Sequence, residues 1–240
     1  MPTSLDLTQR AALVTGAGRP LGRGLASALA DAGARVAVTG APAKGDDRLA
    51  PVTGSLATRA DADALLERAH AALGTAVDVV VHADVAWATP QPFTDVDDEQ
   101  WDATWEGTMR ATLFLFQAAF PAMRARGHGR FMVVTPTLSM SGAAGLAPLA
   151  AAVEGQRLLA KSAARQWGGH GITVNCVAPG PEAVSDEVHA DAVSLAPPAL
   201  GRSGDPHDDL GPIVTFLASD AGHFVTGVTV CADGGVWMAP

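Results

Sequence analysis

An apolar run and a helical run are joined by Thr15-Gly16-Ala17-Gly18-Arg19-Pro20-Leu21-Gly22. Glycines at such a turn let backbone approach a pyrophosphate, and a helix starting behind them presents free N–H groups and its positive end. Gly16, Gly18 and Gly22 are therefore the candidate cofactor contacts. Pro20 lies among them with no N–H to donate and a ring where close approach is wanted; it is also a good first residue for a helix. A second constellation is His82 and Asp84, just past an apolar strand, which could form an acid/base pair or cap the strand end. The third feature is the absence of tyrosine from all 240 residues. Proton transfer by a positioned side chain needs an acid whose pKa suits the working pH, and a phenol is not among those this chain can supply. No spacing of His, Cys and carboxylates matches a metal site, so none is expected.

These residues need a scaffold, and the pattern of the chain supplies one. Short apolar runs at 12–15, 35–39, 77–81, 131–135, 173–178 and 228–231 read as strands. Helical stretches fall between them at 21–32, 58–73, 98–126, 150–167 and 208–218, with Thr58 as a cap, Gly33 and Gly74 as stops, and a break or kink expected at Pro121. Strands that are apolar throughout, separated by helices, predict an α/β fold: a Rossmann-like, doubly wound parallel sheet with helices on both faces. With no linker, repeat or low-complexity segment, residues 1–240 form one domain.

Composition narrows the function classes. A net charge of −9 argues against a nucleic-acid or anionic-membrane surface. No apolar run reaches the roughly 20 residues of a membrane span, and the first residues do not form a signal peptide, so the expected location is cytoplasmic. Cys176 and Cys231 sit in apolar stretches and read as small buried hydrophobes, not a disulfide.

The glycine turn resembles that of the short-chain dehydrogenase/reductase (SDR) family, with Pro20 where the family has its middle glycine. The resemblance continues through Asp78-Val79-Val80-Val81, Gly129-Arg130-Phe131, Gly171-Ile172-Thr173-Val174-Asn175, Ala178-Pro179-Gly180-Pro181, Phe216-Leu217-Ala218-Ser219-Asp220, Val225-Thr226-Gly227 and Asp233-Gly234-Gly235. It implies a nicotinamide cofactor, hydride transfer at an alcohol or ketone, and a tetramer. In its register the family's Tyr falls at Leu149, its Lys four residues on at Val153, its Ser at Pro136 and its Asn at Thr108. The second strand ends in neutral Thr39-Gly40-Ala41, the adenine-contacting aspartate becomes Ser55, the Asn-Asn-Ala-Gly segment is replaced around His82-Ala83-Asp84-Val85, and the carboxamide threonine falls at Val184.

Those departures predict a catalytically degenerate member, a pseudoenzyme, with no cofactor or weak NAD(P) binding at a vestigial Gly16, Gly18 and Gly22. The leading expectation is a non-catalytic structural or regulatory subunit, in a homo-oligomer or a mixed oligomer with an active SDR subunit. The alternatives are a repurposed non-redox enzyme (dehydratase, hydratase or cyclase) and a ligand-sensing Rossmann-type protein. Assembly is expected through helices 98–126 and 150–167, whose stretch 113–120 is apolar nearly all round, with Phe116 and Leu159 placed in the subunit contact.

Overall fold

The computed structural model describes residues 5–40, 46–85, 90–183 and 197–238. Seven parallel strands form one sheet in the order β3-β2-β1-β4-β5-β6-β7. They are β1 (Ala11–Thr15), β2 (Arg35–Thr39), β3 (Leu49–Val52), β4 (Val79–His82), β5 (Gly129–Val134), β6 (Ile172–Pro179) and β7 (Thr229–Ala232). The helices are α1 (Pro20–Asp31), α2 (Arg59–Leu73), α3 (Asp98–Trp105), α4 (Ala111–Arg126), α5 (Ala147–Trp167) and α6 (Gly211–Ala218). β1, β4, β5 and β6 are buried along their whole length, as expected where helices cover both faces. One core lies under α1 and α6 and includes Leu25, Leu149, Val153 and Val214. The other lies under α2 and α4 and includes Leu65, Phe116 and Phe131.

Local chemistry explains the helix ends. Thr58 accepts from the Asp61 N–H while the Asp61 carboxylate accepts from the Thr58 N–H, a capping box at the start of α2. Gly74 closes that helix with φ +66°.

Four expectations need correction. β3 does not stand out as a strand in the sequence. It is four residues long and contains Pro51, which is tolerated because β3 is an edge strand. The helix expected at 98–126 is α3 and α4 joined by a π-helical segment, Glu106–Arg110. Pro121 does not break α4, which runs on to Arg126. A proline leaves the carbonyl four residues back without its N–H, and Arg59 Nη2 donates to that carbonyl, Gln117 O, at 3.1 Å. Phe116, placed at a subunit surface from sequence, instead packs edge-on against Phe131 with ring centroids 4.3 Å apart. Leu159 is only half-buried against the same core, and Leu158 is 69% exposed.

Candidate functional site

In a doubly wound sheet, ligands bind beyond the carboxyl ends of the strands where the strand order reverses. Here that point lies between β1 and β4. A cavity of about 510 Å³ opens there, lined by Thr15, Thr39, Ser55, His82, Asp84 and Glu106 among others. Thr15, the first residue of the glycine turn, is on its wall. A Cβ on Gly22 would stand 2.5 Å from Gly16 O, so helix α1 packs backbone to backbone on the turn. Gly40 has φ +96°, and a Cβ there would meet Gly18 N at 2.5 Å. Thr39, where an acid had been looked for, ties the turn to β2. Its hydroxyl accepts from Gly16 N (3.1 Å) and its carbonyl from Ala17 N (2.9 Å).

Pro20 occupies the first turn of α1, the position where its missing N–H removes no helical bond. The helix has no side-chain cap, so its first-turn N–H groups face the turn without one. Arg19 reaches across, its Nη1 donating to Val85 O at 3.3 Å. Among the described residues no carboxylate comes within ion-pair distance of it. The sequence reading missed Arg19 because it searched only the end of β2 for a charge. The signal was an arginine inside the glycine turn itself. The glycine approach, the uncapped helix and the cavity together fit a dinucleotide, with Gly16, Gly18, Gly22 and Arg19 as the residues that would hold it.

His82 does not hydrogen-bond to Asp84. Parallel pairing sets Thr15 opposite His82, and Nδ1 shares a 2.7 Å hydrogen bond with the Thr15 hydroxyl. Burial pushes this imidazole down to about 4, against the opposing pull of the Asp84 charge, so it is neutral near pH 7. Asp84 shares the cavity wall with it.

The four positions assigned by resemblance lie apart from this cavity's wall. Leu149 and Val153 are fully buried on one side of α5, in a cluster with Ala83, Val85 and Leu138. Pro136 opens the turn after β5. Thr108 lies in the π segment, fully buried, and its hydroxyl has no hydrogen-bond partner among the described residues. Val184 lies outside the described residues.

A second group that sequence reasoning missed is Arg157, one turn beyond Val153 and 4% exposed. Its Nη2 donates to Thr135 O (2.6 Å) and Pro136 O (3.0 Å). Its Nη1 donates to Ser139 Oγ (2.5 Å) and pairs with Glu154. Burial works against the guanidinium charge and Glu154 offsets that. The arginine gathers the whole turn that follows β5. The signal was its spacing: Leu149, Val153 and Arg157 recur every four residues, on the buried stripe of α5.

A sequence profile described as enoyl-(acyl carrier protein) reductase matches residues 16–237. The chain belongs to the short-chain dehydrogenase/reductase superfamily. Among SDR relatives, the 3-oxoacyl-(acyl-carrier-protein) reductase of Escherichia coli K12 is 32% identical over 248 residues, covering 98% of this chain and 100% of the relative. An uncharacterized oxidoreductase of Mycobacterium tuberculosis is also 32% identical, covering 96% and 92%. Among solved structures, a chain assigned as a short-chain alcohol dehydrogenase of Sinorhizobium meliloti superposes with TM-score 0.84 at 28% identity, over 97% and 98% of the two chains.

These full-length matches overturn the expectation of a non-catalytic structural or regulatory subunit, and with it the non-redox and ligand-sensing alternatives. The relatives carry the names of reductases and oxidoreductases along the whole chain, not over a shared scaffold fragment. The error was to read departures at separate contact positions as loss of the whole activity. Losing a tyrosine removes one way of neutralising charge at the acceptor; it leaves the crevice that positions the reactants. The expectation of no cofactor finds no support in these matches. No helix among the described residues is long and apolar enough to cross a membrane.

Proposed function

We propose that this chain is an oxidoreductase of the SDR superfamily that works with a nicotinamide dinucleotide and prefers the phosphorylated form. The observation that carries the reading is the cavity at the β1/β4 reversal, walled by Thr15 and Thr39, with the turn Gly16–Gly22 packed against Thr39 and Gly40 next to it. When bound, the dinucleotide supplies or accepts a hydride. The chain's own part is to hold it. First-turn N–H groups of α1 would take the pyrophosphate, Thr39 fixes the turn, and buried Ala83 packs against Gly16 from the β4 side. The preference for a ribose phosphate follows from charge. β2 ends in neutral Thr39-Gly40, with no carboxylate to accept from a free 2′-hydroxyl, while the glycine turn packed on Gly40 carries Arg19, a cation with no carboxylate partner among the described residues. Within this reading Leu149, Val153, Pro136 and Thr108 mark positions where the usual acid–base group has been replaced.

Calorimetry tests it. NADPH is expected to bind about tenfold more tightly than NADH, roughly one charge-assisted contact. Arg19→Ala should erase the difference while leaving NADH binding unchanged. Equal affinities in the native chain, or no binding of either, would defeat the proposal.

Homo-oligomer formation remains part of the proposal, with the exposed Leu158 of α5 in the contact. Light scattering on Leu158→Glu should then show a smaller particle with an unchanged fold; an unchanged particle would place the contact elsewhere.

A further inference from the structure

Among the described residues, His207 is the one imidazole with a carboxylate at each ring nitrogen. Nε2 stands 2.7 Å from Asp31 Oδ2 and Nδ1 2.7 Å from Asp208 Oδ1. A carboxylate can only accept, so both nitrogens must carry hydrogen, which is the imidazolium. A neutral ring has one N–H and would turn a lone pair to the other carboxylate. The ring belongs to a row of alternating charge that ties three stretches of chain. Asp31 is the last residue of α1, and Arg48 pairs with it and with Asp46 ahead of β3. Ser27 of α1 donates to Asp46 at 3.1 Å. His207 and Asp208 belong to a second π-helical segment, Pro206–Leu210, which leads into α6. That segment is braced within itself: Asp205 accepts from His207 N and Asp208 N at 2.8 Å each, and Arg202 forks onto Asp209 at 2.5 and 2.7 Å. It also lies close on α1. A Cβ on Gly24 would stand 2.6 Å from Pro206 Cβ and 2.9 Å from His207 N. Of the other charges nearby, Asp47 adjoins Asp46, Arg23 of α1 is turned to Gly18 O, and α6 brings none.

We propose that His207 is a proton-operated latch between α1 and the segment Pro206–Leu210, closed while the ring is charged and loosened when it is neutral. Losing the proton leaves Arg48 as the row's one cation for Asp31, Asp46 and Asp208. Asp208, whose side chain is 80% exposed, then turns to water. The link to Asp31 loses its ion-pair part and keeps at most one N–H bond. Both carboxylates favour the charged ring, Asp208 first and Asp31 second, so its pKa lies above the 6.5 of an ordinary histidine. Its contribution is therefore complete below about 6.5 and is lost as pH rises through the raised value. That sign is opposite to His82 and His128, which weaken the fold as pH falls. The latch owes nothing to the dinucleotide reading. It sets how firmly the end of the β6–α6 connection is held to the helix that starts at the glycine turn.

The test uses the full chain. Nitrogen NMR of the imidazole should find both His207 nitrogens protonated in most molecules at about pH 6.5. Amide hydrogen exchange, corrected for its intrinsic pH dependence, should show residues 207–211 about threefold better protected at about pH 6 than at about pH 9, the size expected of an exposed pair. Salt at about 1 M should remove most of that difference. Asp31→Asn keeps an acceptor but not the charge, so its His207 should titrate lower and its segment should lose most of the pH dependence. His207→Gln should hold the segment at the looser level throughout. A native His207 that titrates at or below about 6.5 would overturn the latch, as would equal protection at both pH values. So would a pH dependence that survives in His207→Gln, which would assign it to another group.

Discussion

Arg157→Ala is expected to destabilise the chain by about 3–5 kcal/mol, the usual cost of removing one partner from a buried charged network. Truncation takes the guanidinium donor from Thr135 O, Pro136 O and Ser139 Oγ, leaving Pro136 O only its bonds from Ser139, and opens a hole beside β5. Glu154, the remaining partner, is half-exposed and finds water. Glu154→Gln should therefore cost less than about 1 kcal/mol. Urea denaturation at constant slope separates the two. A loss below about 1 kcal/mol for Arg157→Ala would show that water replaces the guanidinium, and that the turn after β5 does not depend on it.

The second large effect is acid lability. His82 is held neutral by burial at about 4, whereas an unfolded histidine takes up its proton near 6.5. The folded state thus binds fewer protons than the unfolded state between those values, and stability falls as pH falls. The His82 contribution is intact above about 6.5 and is lost by about 4, at roughly 3 kcal/mol in total. His128, also pushed down to about 4 by burial and by Arg130 and Arg10, acts in the same direction. It is partly exposed, so its share is smaller. Urea midpoints from about pH 7 to about pH 4 should trace this decline, and His82→Gln should flatten it. A native chain with a flat profile over that window would show that the imidazole reaches solvent.

The strands, most helices and the glycine turn were legible because their signals are local. An apolar run or a glycine beside a helix start needs no knowledge of its neighbours. What escaped depends on contacts far away in sequence. β3 is made a strand by β2 beside it, not by its own four residues. Pro121 sits harmlessly in α4 because Arg59, on another helix, serves the orphaned carbonyl. His82 looked like a partner of Asp84, two residues on, yet the sheet register gives it Thr15. Arg157 reads as a solvated helix residue until its turn carbonyls are in view. The departures at Thr108, Pro136, Leu149, Val153 and the cofactor positions are facts of the sequence, but the consequence drawn from them, a non-catalytic subunit, was too wide.

The π segment Glu106–Arg110 has one more residue per turn than the helices it joins. An added residue rotates everything downstream by roughly 100°. α3, which packs on α5, and α4, which packs on α2, are thereby dialled to different neighbours along one continuous rod. The segment works as a vernier between two packing phases, so a change of one residue in chain length, ruinous elsewhere in a helix, has a place here to be absorbed. Gly107, on the cavity wall beside Glu106, marks that place: excising it would turn the π turn back into α-helix at the crevice without touching the sheet.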